Sequence, residues 1–180
     1  MSVSLRIFIF LCMILMTTGA VSRAQNAEFT SAEKDTQIAV AREMMTTARY
    51  CALITVDSTG QPHARTMDPF PVDENMVVWL GTNAHSRKVT EIRNDPRVTL
   101  YYADPDHGGY VSIMGRADLV TDPEKKKHFW KEEWNAFYAD REKDYLLIRV
   151  IPSQLDVLSY KHNLVGDRRT WRIPHVSLEE

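Results

Sequence analysis

The sequence predicts a mainly β (α+β) protein, built as an antiparallel barrel with inserted helices. Three observations indicate this fold class. At least six short segments have the composition of strands, many of them are joined by tight turns, and the helical segments do not alternate regularly with the strands. Regular alternation would have indicated a parallel, doubly wound sheet. The length of 180 residues suits one domain, and no internal repeat or linker divides it.

Residues 1–24 are predicted to be a secretory signal peptide and not part of the fold. Arg6 precedes an unbroken apolar run (IFIFLCMILM), and small residues follow it up to Ala24, with Ala20 as a competing cleavage position. The run is shorter than the roughly 20 residues that a helix needs to cross a bilayer, which disfavours a permanent anchor. We therefore expect export to the periplasm or the extracellular space, without stable membrane insertion after cleavage.

The composition of the mature chain, residues 25–180, excludes several classes of protein. Removal of the signal peptide takes away two arginines and no acidic residue, so the net charge changes from −2 to −4. This balance predicts no nucleic-acid partner and no anionic membrane surface. One cysteine, Cys51, remains, so no disulfide can form within the monomer. Because Cys51 lies in an apolar segment, we expect a buried structural thiol.

A helix and a hairpin are predicted to open the mature chain. Residues 31–48 begin with a capping sequence, Thr-Ser-Ala-Glu counted from residue 30, and carry apolar residues at helical spacing. Residues 50–57 have strand composition and end in a Ser-Thr-Gly turn, after which residues 61–67 resume as a strand. Two strands joined by so short a turn are expected to pair as a hairpin.

Short strands and two further helices follow the hairpin. One helix is predicted at residues 86–95, where Pro96 stops it. A longer helix is predicted from residue 121 to about Tyr138, with Pro123 at an early position. The aromatic residues at i, i+4 and i+7 of this helix, which predict either core packing or a dimer surface, are Trp130, Trp134 and Phe137. The remaining predicted strands are residues 76–80, 97–103, 110–120, 145–151 and 154–160.

Residues 82–88 (TNAHSRK) are the segment most indicative of a binding site, because they join a predicted strand to a predicted helix. A helix N-terminus presents unpaired amides and a positive dipole end, which favour an anion. Cations in the first turn oppose that dipole by some tenths of a kcal/mol. A bound phosphate would therefore explain Ser86, Arg87 and Lys88 together. An ordinary exposed basic pair is an equally good explanation from the pattern alone.

Arg65, in the second strand of the hairpin, is a further candidate phosphate ligand. If the hairpin adjoins the helix at residues 86–95, the Arg65 guanidinium can add bidentate hydrogen bonds to the same phosphate. The alternative is a strand residue that faces solvent. No metal site is predicted, since the histidines lack ligand spacing and the acidic segment at residues 104–107 is typical of a turn. No nucleophilic catalytic set is predicted either.

Three runs of sequence resemble a known family, the FMN-binding split barrels. They are P-x-x-R-T-M at residues 62–67, W-L-G-T-N-A-H-S-R-K-V at residues 79–89 and N-D-P-R-V at residues 94–98. The order and spacing are similar to those of the bacterial general-stress branch of the pyridoxamine 5'-phosphate oxidase-like proteins, over roughly residues 35–160. The resemblance implies an antiparallel split β-barrel with inserted helices that binds FMN at the interface of a homodimer.

The resemblance also implies roles for individual residues. Thr66 and Met67 would border the isoalloxazine ring through their backbone, and Thr82 would contribute a hydroxyl. Tyr110 or Trp171 would reach the flavin from the partner subunit. The side chains that would hold the FMN phosphate are those of Arg65, Ser86, Arg87 and Lys88.

Departures from the family pattern argue against oxidation of pyridoxamine phosphate itself. Phe70 stands where the true oxidases have a lysine that grips the substrate phosphate, and their C-terminal Arg-x-His pair has no clear counterpart here. The resemblance instead implies a flavin-dependent oxidoreductase with an unidentified small molecule as substrate or electron donor. The alternative is a non-catalytic stress protein that holds flavin or haem on the same barrel. Export favours this alternative, because FMN would have to be captured after translocation.

Overall fold

A computed structural model describes residues 30–173 and 175–178 of the chain. The predicted signal peptide and its cleavage site lie outside these residues. The helices are α1 (Ser31–Ala48), α2 (Arg87–Asn94), α3 (Pro123–His128) and α4 (Arg141–Asp144), and a 3-10 helix spans Glu132–Ala136. The strands are β1 (Cys51–Val56), β2 (Pro62–Met67), β3 (Val78–Asn83), β4 (Arg97–Asp104), β5 (Gly109–Val120), β6 (Tyr145–Leu158) and β7 (His175–Ser177).

The strands form one antiparallel sheet with the order β2-β1-β4-β5-β6-β3, and β7 pairs with β6. The sheet does not close. Within the described residues, the end strands β2 and β3 approach each other through an isolated bridge between Pro69 and Leu80, where the Phe70 N–H also donates to the Trp79 carbonyl at 2.9 Å. The predicted antiparallel split barrel with inserted helices is therefore confirmed.

The first helix and the hairpin follow the sequence pattern closely. Helix α1 has the predicted bounds, and β1 pairs with β2 so that Leu53 lies opposite Arg65. The interior of the sheet is filled by apolar side chains that alternate along the strands, as expected for sheets with one buried face. Cys51 is among them and is buried, as predicted, and this burial raises the pKa of its thiol to about 12.

Two predicted strands, residues 145–151 and 154–160, are one continuous strand, β6. The pairing register with β5 shifts between Met114 and Gly115, and Gly115 then lies opposite Pro152. A Cβ atom on Gly115 would overlap the Ile151 carbonyl oxygen. The bulge and the absent side chain accommodate a proline, which cannot donate a hydrogen bond to the ladder. The strand therefore continues through Pro152.

The predicted long helix from residue 121 to Tyr138 is wrong. Helix α3 ends at His128, and the chain then turns so that the Phe129 ring stacks on Trp79 of β3 with centroids 4.4 Å apart. Phe137 is 76% exposed and does not pack with Trp130 and Trp134, so the alternative of core packing does not hold for it. The residues that pack on this side of β3 and β6, here called the aromatic cluster, are Phe70, Trp79, Phe129, Trp130, Trp134, Tyr138 and Tyr145.

Tertiary contacts with β3 account for this break. Trp134 lies against Gly81, where a Cβ atom would overlap its indole ring. A straight helix could not bring both Phe129 and Trp134 onto the same strand. Among the described residues, no helix is both long and apolar enough to cross a membrane.

Candidate functional site

The hairpin and helix α2 adjoin, which is the condition under which Arg65 could share a ligand with the helix N-terminus. Arg65 is half-buried on β2. Its Nη2 donates to Oε2 of Glu91 on α2 at 2.8 Å, and its Nη1 donates to the Thr55 hydroxyl on β1 at 2.5 Å. Three elements of the fold thus converge on one guanidinium. The alternative of an unconstrained, solvent-facing Arg65 does not hold.

Glu91 is a site residue that the sequence analysis missed. It is 3% exposed, and its Oε2 also accepts from the Thr55 hydroxyl at 2.5 Å. Burial raises the pKa of Glu91, but the hydrogen bonds from Thr55 and Arg65 and the charges of Arg65 and Arg87 outweigh burial, so the pKa lies below its ordinary value. Glu91 is therefore an ionised carboxylate beneath the basic residues.

The second carboxylate oxygen of Glu91, Oε1, has a nearby cation but accepts no hydrogen bond within the described residues. Arg87 Nε lies 2.9 Å from Oε1 across one helical turn, yet the approach lacks hydrogen-bond geometry, and within the described residues Oε1 is buried without a hydrogen-bond partner. The i, i+4 spacing of Arg87 and Glu91 was the one signal in the sequence that could have identified this carboxylate.

The N-terminus of α2 brings together the residues of the predicted phosphate segment. Ser86 is the N-cap residue, but its side chain makes no capping hydrogen bond, and the first turn contains no acidic residue. The Ser86 hydroxyl instead lies 3.2 Å from the Thr82 hydroxyl, which also accepts from Lys88 Nζ at 3.1 Å. A serine that does not cap leaves the amides of the first turn available to an anion.

The charges at this place are not balanced. Three cations surround a single carboxylate, and the group they form is called the basic cluster below. Burial lowers the pKa of Lys88, the charge of Arg65 lowers it further, and the attraction of Glu91 only partly opposes both. An anion with two negative charges would neutralise the excess positive charge. The members of the basic cluster are Arg65, Arg87, Lys88 and Glu91, with the hydroxyls of Thr55, Thr82 and Ser86 beside them.

The remaining predicted site residues lie outside the basic cluster. Thr66 is exposed on β2, next to Arg65 in sequence, whereas the Met67 side chain is buried in the core. Tyr110 stacks on Tyr101 with ring centroids 5.2 Å apart. Trp171 is 79% exposed. The structure therefore brings together Arg65, Thr82, Ser86 and Lys88, with the exposed Arg87 at the edge.

A separate cleft of about 300 Å³ opens beside the end of β2. Its lining includes Phe70, the position at which the family resemblance implies a lysine in the true oxidases, but no member of the basic cluster. Lys131 approaches Phe70 from the segment before the 3-10 helix, with Nζ 5.0 Å from the ring centroid and 2.8 Å from Asp68 Oδ1. A cation thus lies near this position, although it is already paired with a carboxylate.

The acidic segment at residues 104–107 forms a turn, as its sequence predicts. Asp104 Oδ1 accepts from the His107 N–H at 3.2 Å and lies 3.1 Å from the His107 ring nitrogen. Within the part of the chain that the structure describes, no group of three or more His, Cys, Asp or Glu side chains is arranged to hold a metal ion.

The fold and the site together define an open antiparallel barrel protein with excess positive charge at a helix N-terminus, a place that favours an anion. The sequence matches the family described as pyridoxamine 5'-phosphate oxidase like over residues 36–162. The chain belongs to this family.

Known structures support the fold assignment. A protein related to general stress protein 26 from Clostridium acetobutylicum superposes with a TM-score of 0.65 at 16% identity, covering 80% of this chain and 95% of that one. General stress protein 26 from Bacillus anthracis gives 0.56 at 27% identity, covering 65% and 92%. An FMN-binding, pyridoxamine 5'-phosphate oxidase-related protein from Nostoc punctiforme gives 0.54 at 17% identity, covering 85% and 100%.

Similarity to a characterised enzyme is local. The pyridoxine/pyridoxamine 5'-phosphate oxidase of Escherichia coli is 36% identical over 75 residues, which are 42% of this chain and 34% of the enzyme. The chain therefore matches about a third of the length of this curated relative.

Proposed function

We propose that this protein binds FMN, with the phosphate at the basic cluster, and acts as a flavin-dependent oxidoreductase on a small molecule. The observation that carries the proposal is the excess of cations at the α2 N-terminus, where the first turn has no acidic residue and Ser86 does not cap. Hydrogen bonds between charged groups contribute about 1.5–3 kcal/mol each, so a phosphate that engages several of these residues would bind firmly. The similarity to an FMN-binding protein is consistent with this ligand.

The residues present fit the phosphate of a flavin mononucleotide. Arg65 and Lys88 would supply charge from two sides, Arg87 would supply it at the exposed edge, and the hydroxyls of Thr82 and Ser86 would supply hydrogen bonds. By family resemblance, the backbone of residues 66–67 would border the ring. The flavin, when bound, supplies the redox chemistry, whereas the protein supplies position and electrostatics.

The substrate is proposed to differ from pyridoxamine phosphate. Phe70 offers an aromatic ring where the family's substrate-binding lysine would stand, and the nearby Lys131 is already engaged with Asp68 at 2.8 Å and with the Pro69 carbonyl at 3.2 Å. A substrate phosphate would have to compete with this carboxylate. An unphosphorylated small molecule is therefore the better candidate.

Two further features are proposed with this function, a homodimer and export. The dimer is supported by large apolar side chains that the described monomer leaves exposed, since such residues are enriched at interfaces. They include Tyr50, Tyr101, Phe137, Ile151, Tyr160 and Trp171. Export is supported by the signal-like sequence of residues 1–24. Light scattering of the purified protein and N-terminal sequencing of the secreted form would test these two proposals.

A titration with FMN tests the proposed ligand. We expect saturable quenching of flavin fluorescence by the wild type and loss of binding in the Arg65→Ala, Lys88→Ala double variant. Arg93→Ala is a matched control, because Arg93 is an exposed cation in the last turn of the same helix. Absence of FMN binding by the folded wild type would refute the proposal.

Turnover separates the enzyme from a binding protein. Once FMN is bound, reduction by a nicotinamide or deazaflavin donor and reoxidation by small molecules would be followed through the flavin absorption. A flavin that binds but never cycles would support the non-catalytic alternative.

A further inference from the structure

One edge of the Arg65 guanidinium is already occupied inside the protein. A guanidinium carries five N–H donors in a planar fork. In Arg65, Nη1 donates to the Thr55 hydroxyl at 2.5 Å and to the Leu53 carbonyl at 3.4 Å, and Nη2 donates to Glu91 Oε2 at 2.8 Å. Thr55 and Glu91 are themselves joined by a hydrogen bond of 2.5 Å. The guanidinium is therefore held by groups that also hold each other.

The donors that remain form the other edge of the fork. Within the described residues, the hydrogen bonds of the Arg65 guanidinium come from Nη1 and from one N–H of Nη2, so Nε–H and the second N–H of Nη2 have no acceptor. These two groups lie side by side on the planar guanidinium. A pair of adjacent N–H groups is the arrangement that binds a phosphate or a carboxylate in bidentate fashion. The hydrogen bonds from Arg65 to Thr55 and Glu91 thus leave the edge formed by Nε–H and Nη2–H available to a phosphate.

From this geometry we infer that Glu91, together with Thr55, is a positioning residue that presents the unused edge of Arg65 to the phosphate of the ligand. This inference rests on the proposed function and adds to it a buried acid that strengthens the binding of an anion. Thr55 is 0% exposed and Glu91 is 3% exposed, so neither is expected to touch the ligand. Both act through Arg65.

Simple electrostatics predicts the opposite sign for Glu91. A carboxylate next to a dianion site repels the ligand, so its removal would tighten binding if charge alone mattered. Positioning predicts that removal weakens binding, because an arginine side chain freed from its braces must be ordered again when the phosphate binds. The direction of the change therefore distinguishes the two roles.

Three variants of the full chain test the inference. Glu91→Leu removes charge and acceptor, Glu91→Gln removes the charge but keeps an acceptor for Arg65, and Thr55→Val removes the hydroxyl with no change of charge. We expect about tenfold weaker FMN binding for Glu91→Leu and Thr55→Val, as estimated from the loss of a preorganised contact, and a smaller loss for Glu91→Gln. Arg93→Ala should bind as the wild type does. Circular dichroism would confirm that each variant is folded, and Thr55→Val keeps the test valid if Glu91→Leu does not fold.

Riboflavin separates positioning from a general structural effect, because it lacks the phosphate. We expect Glu91→Leu and Thr55→Val to reduce the preference for FMN over riboflavin, measured as the ratio of the two dissociation constants. Equal weakening for both flavins, or binding of FMN by Glu91→Leu that matches or exceeds the wild type, would overturn the inference.

Binding of inorganic phosphate tests the role of Glu91 and Thr55 independently of flavin binding. If the wild type does not bind FMN, the proposed function fails, and the rise in Tm with added phosphate becomes the deciding measurement, since a ligand that binds the folded state raises Tm. A rise in the wild type that is reduced in Thr55→Val and Glu91→Leu would support the positioning role. An equal rise in all proteins, or no rise in any, would contradict it.

Discussion

Strand β3 lies between two regions that differ in the partners of their positively charged side chains. Because side chains alternate along a strand, Trp79 and Gly81 face the aromatic cluster whereas Thr82 reaches Lys88 in the basic cluster. On the aromatic side, three cations lie over rings. The distances from the charged group to the ring centroid are 5.5 Å for Lys125 and Trp79, 5.0 Å for Lys131 and Phe70, and 4.2 Å for Arg141 and Trp130.

Among the residues that the structure describes, no cation of the basic cluster lies over an aromatic ring. Its three cations share one carboxylate, and burial together with the charge of Arg65 lowers the pKa of Lys88. On the aromatic side each of the three cations lies over a ring, whereas in the basic cluster the cations outnumber the carboxylates. A region where cations outnumber carboxylates is a place to expect an anionic ligand, because mutual repulsion of like charges costs free energy unless an anion is bound.

The largest expected effect lies on the aromatic side, at Gly81. A Cβ atom there would overlap the Trp134 ring and would lie 2.9 Å from Tyr145 Cε2. Gly81→Ala is therefore expected to lower the free energy of unfolding by about 1–3 kcal/mol, the usual cost of overpacking. Urea unfolding measures the change, and a smaller loss in a Trp134→Ala background would show that the indole is the cause. An unchanged urea midpoint would mean that the cluster is not closely packed.

A pair of isosteric lysine variants compares the two regions directly. Lys88→Met is expected to weaken FMN binding by about 1.5–3 kcal/mol, the contribution of a charge-assisted hydrogen bond, with little loss of stability because it relieves repulsion from Arg65. Lys131→Met is expected to lower stability by about 1 kcal/mol, since it leaves Asp68 without its ion pair, and to leave FMN binding unchanged. Calorimetric titration and urea unfolding of both variants measure these quantities. The reverse pattern would refute the assignment of the two regions.

The pH dependence of FMN binding is expected to reflect the loss of the proton from Lys88. Since burial and the charge of Arg65 lower its pKa from the ordinary value of 10.5, Lys88 loses its proton, and its attraction for phosphate, at a lower pH than an exposed lysine. FMN affinity should therefore fall as the pH rises through this lowered pKa. Lys88→Arg should flatten the decline, because arginine stays protonated. Fluorescence titrations from neutral to alkaline pH measure the effect, and the same decline in both proteins would exclude Lys88 as its source.

The smallest expected effect is at Phe137, at the margin of the aromatic cluster. Its side chain is 76% exposed, so Phe137→Ala should change the free energy of unfolding by no more than about 0.5 kcal/mol. The helix that the sequence predicts at this place would bury Phe137 and make the same substitution costly. Thermal unfolding at several protein concentrations measures the change and separates it from an effect on dimer formation.

The local sequence pattern was sufficient to predict structure where the partners of a residue are close in sequence. The bounds of α1 and the pairing of β1 with β2 follow from helical spacing, strand alternation and a short turn, all of which act over a few residues. The convergence of Ser86 and Lys88 on Thr82 was predictable for the same reason, since the three residues lie within one short segment.

Contacts between residues distant in sequence decide the structure where the local pattern predicts it wrongly or incompletely. Spacing along residues 121–138 favoured one helix, but Trp79 and Gly81 on a strand far back in the chain draw Phe129 and Trp134 onto β3 and break it. Glu91 was missed because an acid on a short helix is ordinarily exposed. Its burial depends on a hydrogen bond to Arg65, which lies 26 residues earlier.

The sequence by itself determined the fold class, the order of most elements and the presence of cations at the start of α2. Only the tertiary structure decided that these cations meet Arg65, that a buried carboxylate holds Arg65 in place, and that the chain after α3 packs as a cluster of rings. The physical reason is that periodicity and capping act over one or two turns of chain, whereas the burial of a charge or a ring depends on the side chains that the fold places opposite it.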